Sequence, residues 1–143
     1  ISAAYATPRT TAAQRKLAQT LLSAVGDLVW LDGEELLNAV TAVSGSGPAY
    51  VFLLAEALAA AAERQGLKPE IARKLARKTI EGAGALLGAN PDDPADLRKS
   101  VTSPGGTTEA ALKILMADGR LEALVTEAVS AATARGFELA KTR

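Results

Sequence analysis

The sequence predicts an all-α fold, a helical bundle preceded by a short strand–helix–strand segment. From Glu34 onward, apolar residues recur three and four positions apart, which is the spacing of one face of a helix. Before Gly33, two short apolar runs, ISAAYAT and DLVWLD, flank one helical pattern and have the length of strands. Hydrophobic residues make up 48% of the chain and charged residues 22%, a balance typical of a folded globular protein.

The first part of the chain is expected to belong to a larger sheet. Its helix, at residues 10–25, has apolar residues at helical spacing and ends at Gly26. Two short strands joined by one helix are not stable alone, so we expect their partner strands upstream. The chain starts at Ile1 instead of methionine, which agrees with a fragment or a processed product. We therefore assign residues 1–33 and 34–143 to different domains.

A series of further helices is predicted after this segment. The expected ranges are 34–43, 48–66, 68–90, 94–100, 107–119 and 119–143. The SGSG stretch at 44–47 is interpreted as a break between the first two helices. Pro48, Pro69 and Pro94 stand in first turns, where proline is tolerated.

Helix 48–66 is apolar nearly all the way round, which is typical of a helix covered on every side. A bundle of this size offers few such positions, so the simplest cover is a second copy of the chain. We therefore expect a homodimer formed through helices 48–66 and 119–140, and a higher oligomer of dimers stays open. One apolar stripe is expected on helix 68–90, at Ile71, Leu75, Ile80, Ala83 and Leu87. The last helix is expected to face inward with Leu121, Leu124, Val125, Ala128, Val129 and Ala132.

Composition excludes several classes of function. The sequence has no histidine, no cysteine and a formal net charge of zero. Disulfides, zinc fingers and histidine-based acid–base chemistry are therefore excluded within the chain, and we expect no metal site. The balanced charge argues against nucleic acid as a partner. Glu56 and Glu63 interrupt the longest apolar run before it reaches about 18 residues, so we expect no membrane span and a cytoplasmic protein.

Two loops share a design that suits an anion. SGSGPAY (44–50) and SPGGTT (103–108) both place glycines and hydroxyl-bearing residues directly before a helix. The first turn of a helix has unpaired N–H groups and a partial positive charge, and glycine lets a carboxylate or phosphate approach the backbone. The alternative is purely structural, with Ser44, Ser46 and Thr107 as helix caps and the glycines serving only the turns.

Four stretches, taken together, resemble one enzyme family. They are AVTAVSGSGPAYVFLLAEAL (39–58), ARKTIEGAGALL (76–87), DLRKSVTSPGGTTEAALKIL (96–115) and AVSAATARGFEL (128–139). Their order and spacing are similar to the C-terminal domain of pyrroline-5-carboxylate reductase, over nearly all of residues 34–140. The resemblance implies a helical dimerisation domain, preceded by the last strands of the family's N-terminal Rossmann domain. It also implies reduction of 1-pyrroline-5-carboxylate to L-proline, the last step of proline biosynthesis, with NADPH or NADH bound mainly by that N-terminal domain.

The resemblance implies a role for each loop as well. The substrate carboxylate would bind at SPGGTT, through the hydroxyl of Ser103 and the N–H groups of Gly105, Gly106 and Thr107. The hydroxyl of Thr108 would bond to the ring nitrogen, which makes Thr108 the expected catalytic residue. Ser44 and Ser46 would lie near the nicotinamide ribose of the cofactor.

Two alternatives stay open beside this family. One is a helical dimerisation module with no chemistry of its own. The isolated chain is expected to be inactive, because it has no binding site for the hydride donor. The other is a related dehydrogenase that joins a Rossmann domain to a helical bundle and depends on a lysine in the bundle. Lys78 and Lys113 are the candidates for that lysine, although neither lies in a matching motif.

Overall fold

The structure, a computed structural model, describes residues 1–142 and confirms the predicted fold class. The elements in chain order are β1 (Ser2–Tyr5), α1 (Ala12–Ser23), β2 (Leu28–Leu31), α2 (Leu36–Val40), a π-helical turn (Thr41–Gly45), α3 (Gly47–Arg64), α4 (Pro69–Ala89), α5 (Pro94–Ser100), α6 (Thr107–Leu115), a 3₁₀ turn (Ala117–Gly119) and α7 (Arg120–Lys141). The chain divides into two compact units. The first unit consists of Ile1–Gly47 and the chain from Val125 onward, and the second is Pro48–Leu124.

The two strands of the first unit pair as predicted. They form a two-stranded parallel sheet, in register from Ser2 opposite Leu28 to Tyr5 opposite Leu31. Parallel strands need a crossover connection, and α1 provides it. The predicted domain boundary after residue 33 stays a prediction.

Helix α1 is anchored at its start and along one face. The N–H of Gln14 donates to the Thr11 hydroxyl at 3.3 Å, and the N–H of Thr11 donates to the side-chain oxygen of Gln14 at 2.8 Å. This capping box satisfies two N–H groups that a helix start leaves unpaired. Trp30 of β2 then holds the helix, because its indole N–H donates to Gln19 at 2.5 Å and the Arg15 guanidinium lies 4.4 Å from the ring centroid.

The predicted break at 44–47 is wrong, because the helix continues through it as a wider π-helical turn. The N–H of Ser46 donates to the carbonyl of Thr41, five residues earlier, at 2.8 Å. Pro48 explains the widening in physical terms. Its ring has no N–H and, in a regular α-helix, would clash with the carbonyl of Ser44, so a wider turn directly before it relieves the clash.

The second unit follows its turn signals closely. At the start of α5 the Asp93 carboxylate accepts the N–H of Ala95 at 2.8 Å, and Pro94 fills the first helical position. Before α7 the chain turns at Asp118 and Gly119, whose φ angles are 52° and 66°. Both are left-handed conformations, which commonly end a helix.

The buried side chains among residues 1–142 are all alanines. They are Ala42, Ala59, Ala72 and Ala76. Most of the larger apolar side chains in the two predicted stripes are about half exposed or more, among them Ile71 (45%), Leu75 (51%), Leu121 (49%) and Leu124 (64%), whereas Ile80 and Val129 are half-buried. The inward face predicted for the last helix is therefore largely wrong for a single chain, since the described residues leave most of it exposed.

The accessible surface area gives the scale of this exposure. The chain exposes 11033 Å². A compact monomer of 14.7 kDa would expose about 6,900 Å², from the scaling of surface with mass. The excess is about 4,000 Å² by that scaling, and much of it is apolar, including Phe52 and Leu53 of α3, which are 66% and 64% exposed. Apolar surface of this extent on a folded chain marks an interaction surface.

The continuous helix also changes the membrane argument. Residues Leu36–Arg64 form one helix that is long and apolar enough to cross a membrane, by length and composition alone. The expectation of no membrane span rested on Glu56 and Glu63, which do interrupt the apolar run, but the mean hydropathy of this helix stays high because so few of its residues are charged. Within the part of the chain that the structure describes, this is a single such helix, and the core helix of a soluble protein passes the same test. The absence of a membrane partner stays a prediction.

Candidate functional site

The SPGG stretch folds into a type II β-turn. The N–H of Gly106 donates to the carbonyl of Ser103 at 3.0 Å, which closes the turn. Pro104 supplies the fixed φ that the second turn position requires, and Gly105 has a φ of +73°, as the third position requires. The proline and the first glycine are therefore needed for the turn itself, before any ligand is considered.

This turn delivers the chain directly into α6. Gly106 is the N-cap of the helix and no side chain caps it, so Thr107 and Thr108 occupy its first two positions. Among the described residues, the N–H groups of Thr107 and Thr108 have no acceptor. These unpaired donors and the positive end of the helix dipole point outward together, which is the arrangement that binds anions at helix starts.

The structure also bears on the alternative that the hydroxyls only cap helices. Thr107 lies inside α6 and makes no capping hydrogen bond. The hydroxyls of Ser103 and Thr108 likewise have no hydrogen-bond partner within residues 1–142. Thr108 is half-buried and Ser103 is exposed. These three hydroxyls are thus available to a ligand.

Two of the predicted backbone donors are already engaged inside the chain. The N–H of Gly106 closes the turn, as described, and the N–H of Gly105 donates to the Glu109 carboxylate at 2.6 Å. The other oxygen of Glu109 lies 3.7 Å from the ammonium of Lys113. Thr107 is therefore the one predicted N–H donor of the three that has no acceptor in the described chain. The sequence analysis missed Glu109, although an acidic residue at the third position of a helix is a recognised signal of a contact with the helix start.

Of the serines in the other loop, Ser44 lies in the π-helical turn of the first unit and Ser46 follows that turn directly. Ser44 is exposed and Ser46 is half-buried, and within residues 1–142 neither hydroxyl makes a hydrogen bond that caps a helix. Ser44 lies at the edge of an open cleft of about 360 Å³ with an almost wholly apolar lining. The lining residues are Ile1, Ser2, Ala3, Val29, Ala39, Val40, Val43 and Ser44. Ser46 does not line this cleft. The two serines belong to one unit and residues 103–108 to the other.

The remaining candidates have ordinary surface partners. The ammonium of Lys78 lies 2.7 Å from the carboxylate of Glu81 and lowers the pKa of that exposed group, first by the hydrogen bond and then by its charge. Lys113 pairs with Glu109 as described. Neither lysine lies in a closed pocket, which gives no support to a catalytic lysine. No group of three or more candidate metal ligands occurs in residues 1–142.

Comparisons with known proteins identify the same enzyme family over nearly the whole chain. The family model described as pyrroline-5-carboxylate reductase dimerisation matches residues 34–139. The chain is 51% identical over 140 residues to the pyrroline-5-carboxylate reductase of Pseudomonas aeruginosa, covering 98% of this chain and 51% of that protein. Identity to the Synechocystis enzyme of the same name is 47% over 124 residues, covering 87% of this chain and 46% of that protein.

Solved structures give the same result. The chain superposes on a pyrroline-5-carboxylate reductase from Coxiella burnetii with a TM-score of 0.85 and 41% identity, covering 96% of this chain and 50% of that one. For the Plasmodium falciparum pyrroline carboxylate reductase with NADP bound, the TM-score is 0.72 and the identity 28%, over 90% of this chain and 48% of that one. The chain thus spans about half the length of the relatives it matches.

Proposed function

Because this chain belongs to the pyrroline-5-carboxylate reductase dimerisation family, we propose that it supplies the dimerisation domain and the substrate half-site of an enzyme that reduces 1-pyrroline-5-carboxylate to L-proline. The observation that carries the proposal is the turn at residues 103–106, which leads into a helix start with unpaired N–H groups and unpartnered hydroxyls. The enzyme would act in the cytoplasm with NADPH or NADH. Its reaction would be the last step of proline biosynthesis.

The proposed substrate has a carboxylate and a ring C=N bond, and the turn suits both. The carboxylate binds the N–H groups of Thr107 and Thr108 and the hydroxyl of Ser103, none of which has a partner in the described chain. The Thr108 hydroxyl, half-buried beside them, holds the ring nitrogen. A hydroxyl is a weak acid, so its contribution is to orient the nitrogen and to relay a proton from water.

The cofactor supplies the hydride that adds to the ring carbon of the C=N bond, while the nitrogen gains a proton. Within the described residues, the cleft beside Ser44 has apolar walls that suit one face of a flat ring and a hydroxyl at its edge. Its almost wholly apolar lining offers no set of donors for phosphates. Ser44, and Ser46 two residues further on, would contact only the nicotinamide end of the cofactor. Its phosphates would be bound by residues of the N-terminal domain.

The exposed apolar helices support a homodimer as the working form. Among apolar residues of α3, Phe52 and Leu53 are about two-thirds exposed in one chain. The excess of about 4,000 Å² per chain exceeds what a standard protein interface buries on one side, about 800 Å², so it accommodates an obligate dimer interface together with cover by the proposed N-terminal domain. Helices α3 and α7 would form it, and this cover, not a membrane, would account for the apolar helix Leu36–Arg64. A ring of such dimers is compatible with the same surface.

The test is Thr108→Ala in the intact protein that carries this chain, with 1-pyrroline-5-carboxylate and NADPH. The nitrogen becomes more basic as hydride arrives, so its hydrogen bond strengthens in the transition state and its loss lowers kcat more than it raises KM. A hydrogen bond to a charged partner is worth about 1.5–3 kcal/mol, or roughly 10- to 150-fold in rate. Melting should barely change, because the hydroxyl makes no capping bond.

A helix-cap role would give the opposite pattern, with a loss of about 1 kcal/mol in stability and nearly intact kinetics. The chain in isolation serves as the control for domain assignment. It should not turn over the substrate. A rate near that of ordinary enzymes, on the order of 10 per second, would contradict the proposal that the cofactor is bound mainly by the N-terminal domain.

A further inference from the structure

Glu109 lies at the start of α6, and the proposed reaction assigns it no role. Its carboxylate accepts the N–H of Gly105 at 2.6 Å and approaches Lys113 to 3.7 Å, and its side chain is 37% exposed. In the usual capping box, an acidic residue at the third helical position bonds back to the N–H of the N-cap. Here the N-cap is Gly106, whose N–H is taken by Ser103, so Glu109 reaches one residue further back.

The consequence is that an internal carboxylate occupies the Gly105 N–H, in the same turn as the Ser103, Thr107 and Thr108 donors of the proposed carboxylate site. A substrate that binds the same backbone must either displace Glu109 from Gly105 or bind beside a like charge. Two unit charges about 6 Å apart, at an effective dielectric constant of about 40, between the values for a protein surface and for water, change an affinity by roughly tenfold. Lys113 reduces this effect, because it attracts the same carboxylate from the side away from the turn.

We propose that Glu109 is an autoinhibitory and specificity-determining residue of this turn, whose carboxylate holds the Gly105 N–H until an anionic substrate displaces it. The inference rests on the proposed function. Glu109 sets how strongly the site selects for a carboxylate, and Lys113 sets how readily Glu109 leaves. The competing explanation is that Glu109 only stabilises the start of α6 by its charge.

The matched pair of variants is Glu109→Gln and Glu122→Gln in the intact protein. Both remove one negative charge from the first turn of a helix, but Glu122 has no hydrogen bond or ion pair among residues 1–142. Glu109→Gln should lower KM for 1-pyrroline-5-carboxylate by about three- to tenfold. Glu122→Gln should leave KM unchanged, and Lys113→Gln should raise it.

Inhibition by two small molecules separates selection for charge from a structural effect. L-proline and L-prolinamide share the ring and the amine and differ in the carboxylate. Glu109→Gln should strengthen inhibition by L-proline about three- to tenfold. The same change should leave inhibition by L-prolinamide unchanged or weaken it. Equal changes for both inhibitors, or a lower melting temperature with an unchanged KM, would overturn the role of Glu109.

These outcomes are distinct from failure of the proposed function. If the intact protein does not reduce 1-pyrroline-5-carboxylate, the proposed function is wrong and the role of Glu109 falls with it. If the wild-type protein is active but Glu109→Gln and Glu122→Gln behave alike, the reaction stands and only the role of Glu109 is refuted. The double variant Glu109→Gln/Lys113→Gln gives a further check, because Lys113→Gln should have little effect once Glu109 has no charge.

Discussion

Replacing Gly105 with alanine tests whether the type II turn itself is part of the substrate site. Gly105 has a φ of +73°, and a Cβ built there would meet no atom within 4 Å. The cost is therefore backbone strain without a clash, about 1–2 kcal/mol for an L-residue in the left-handed region. Gly119 provides a matched control, since its φ is +66° and a Cβ there also meets open space.

The size of the effect on melting follows from chain length. Unfolding entropy is about 2.1 cal/mol/K per residue, or roughly 0.3 kcal/mol/K for a chain of this length. A strain of 1–2 kcal/mol then lowers the melting temperature by about 3–7 °C, and by similar amounts in Gly105→Ala and Gly119→Ala. Circular dichroism at 222 nm, followed during heating at fixed protein concentration, measures both.

The two variants should differ in their kinetics. In Gly105→Ala the turn can relieve its strain only by rotating Gly105, and this moves Ser103 relative to the start of α6. KM for 1-pyrroline-5-carboxylate should therefore rise, whereas in Gly119→Ala it should stay at the wild-type value. Equal losses of stability with no kinetic difference between the variants would show that the turn is only a connection between α5 and α6.

Three further expectations concern other parts of the chain. Gly106→Ala should raise KM, because its Cβ would lie 3.0 Å from the backbone carbonyl of Ser103 and the turn cannot yield cheaply there; a wild-type KM would argue against this geometry. Gly136→Ala should destabilise the first unit by about 1–3 kcal/mol, since its Cβ would meet the side-chain oxygen of Asn38 at 2.7 Å, and Gly136→Ala/Asn38→Ala should recover much of that loss in a urea titration. Light scattering at micromolar concentration should give the mass of a dimer or a multiple of it, and a stable, well-folded monomer would refute the dimer.

Local signals in the sequence predict much of the second unit. Asp93 and Pro94 mark the start of α5, and the serine, proline and glycine pattern marks the turn before α6, because each of these residues acts through its own backbone or a neighbour's. Such short-range causes can be identified without knowing the fold. The choice of Thr108 as a site residue came from the family resemblance, and it stays a prediction.

Other features depend on interactions that a pattern does not contain. The stretch at Ser44 to Gly47 has the composition of a break. The helix nevertheless continues through it, because the turn widens ahead of Pro48. The contact of Glu109 with Gly105 requires one side-chain rotamer that spacing alone does not specify. Periodicity identifies the apolar face of a helix, but not which chain will cover it.

The four buried alanines have a consequence for how the protein behaves in a cell. A chain whose buried side chains among residues 1–142 are only Ala42, Ala59, Ala72 and Ala76 would gain little hydrophobic stabilisation until a second copy covered its helices in the proposed dimer. The folding equilibrium of that dimer would obey mass action, and each tenfold dilution would remove about 1.4 kcal/mol from its stability. Newly made chains at low abundance would spend longer open to proteases than the same chains at high abundance. The rate of synthesis would thus control the lifetime of the protein as well as its amount.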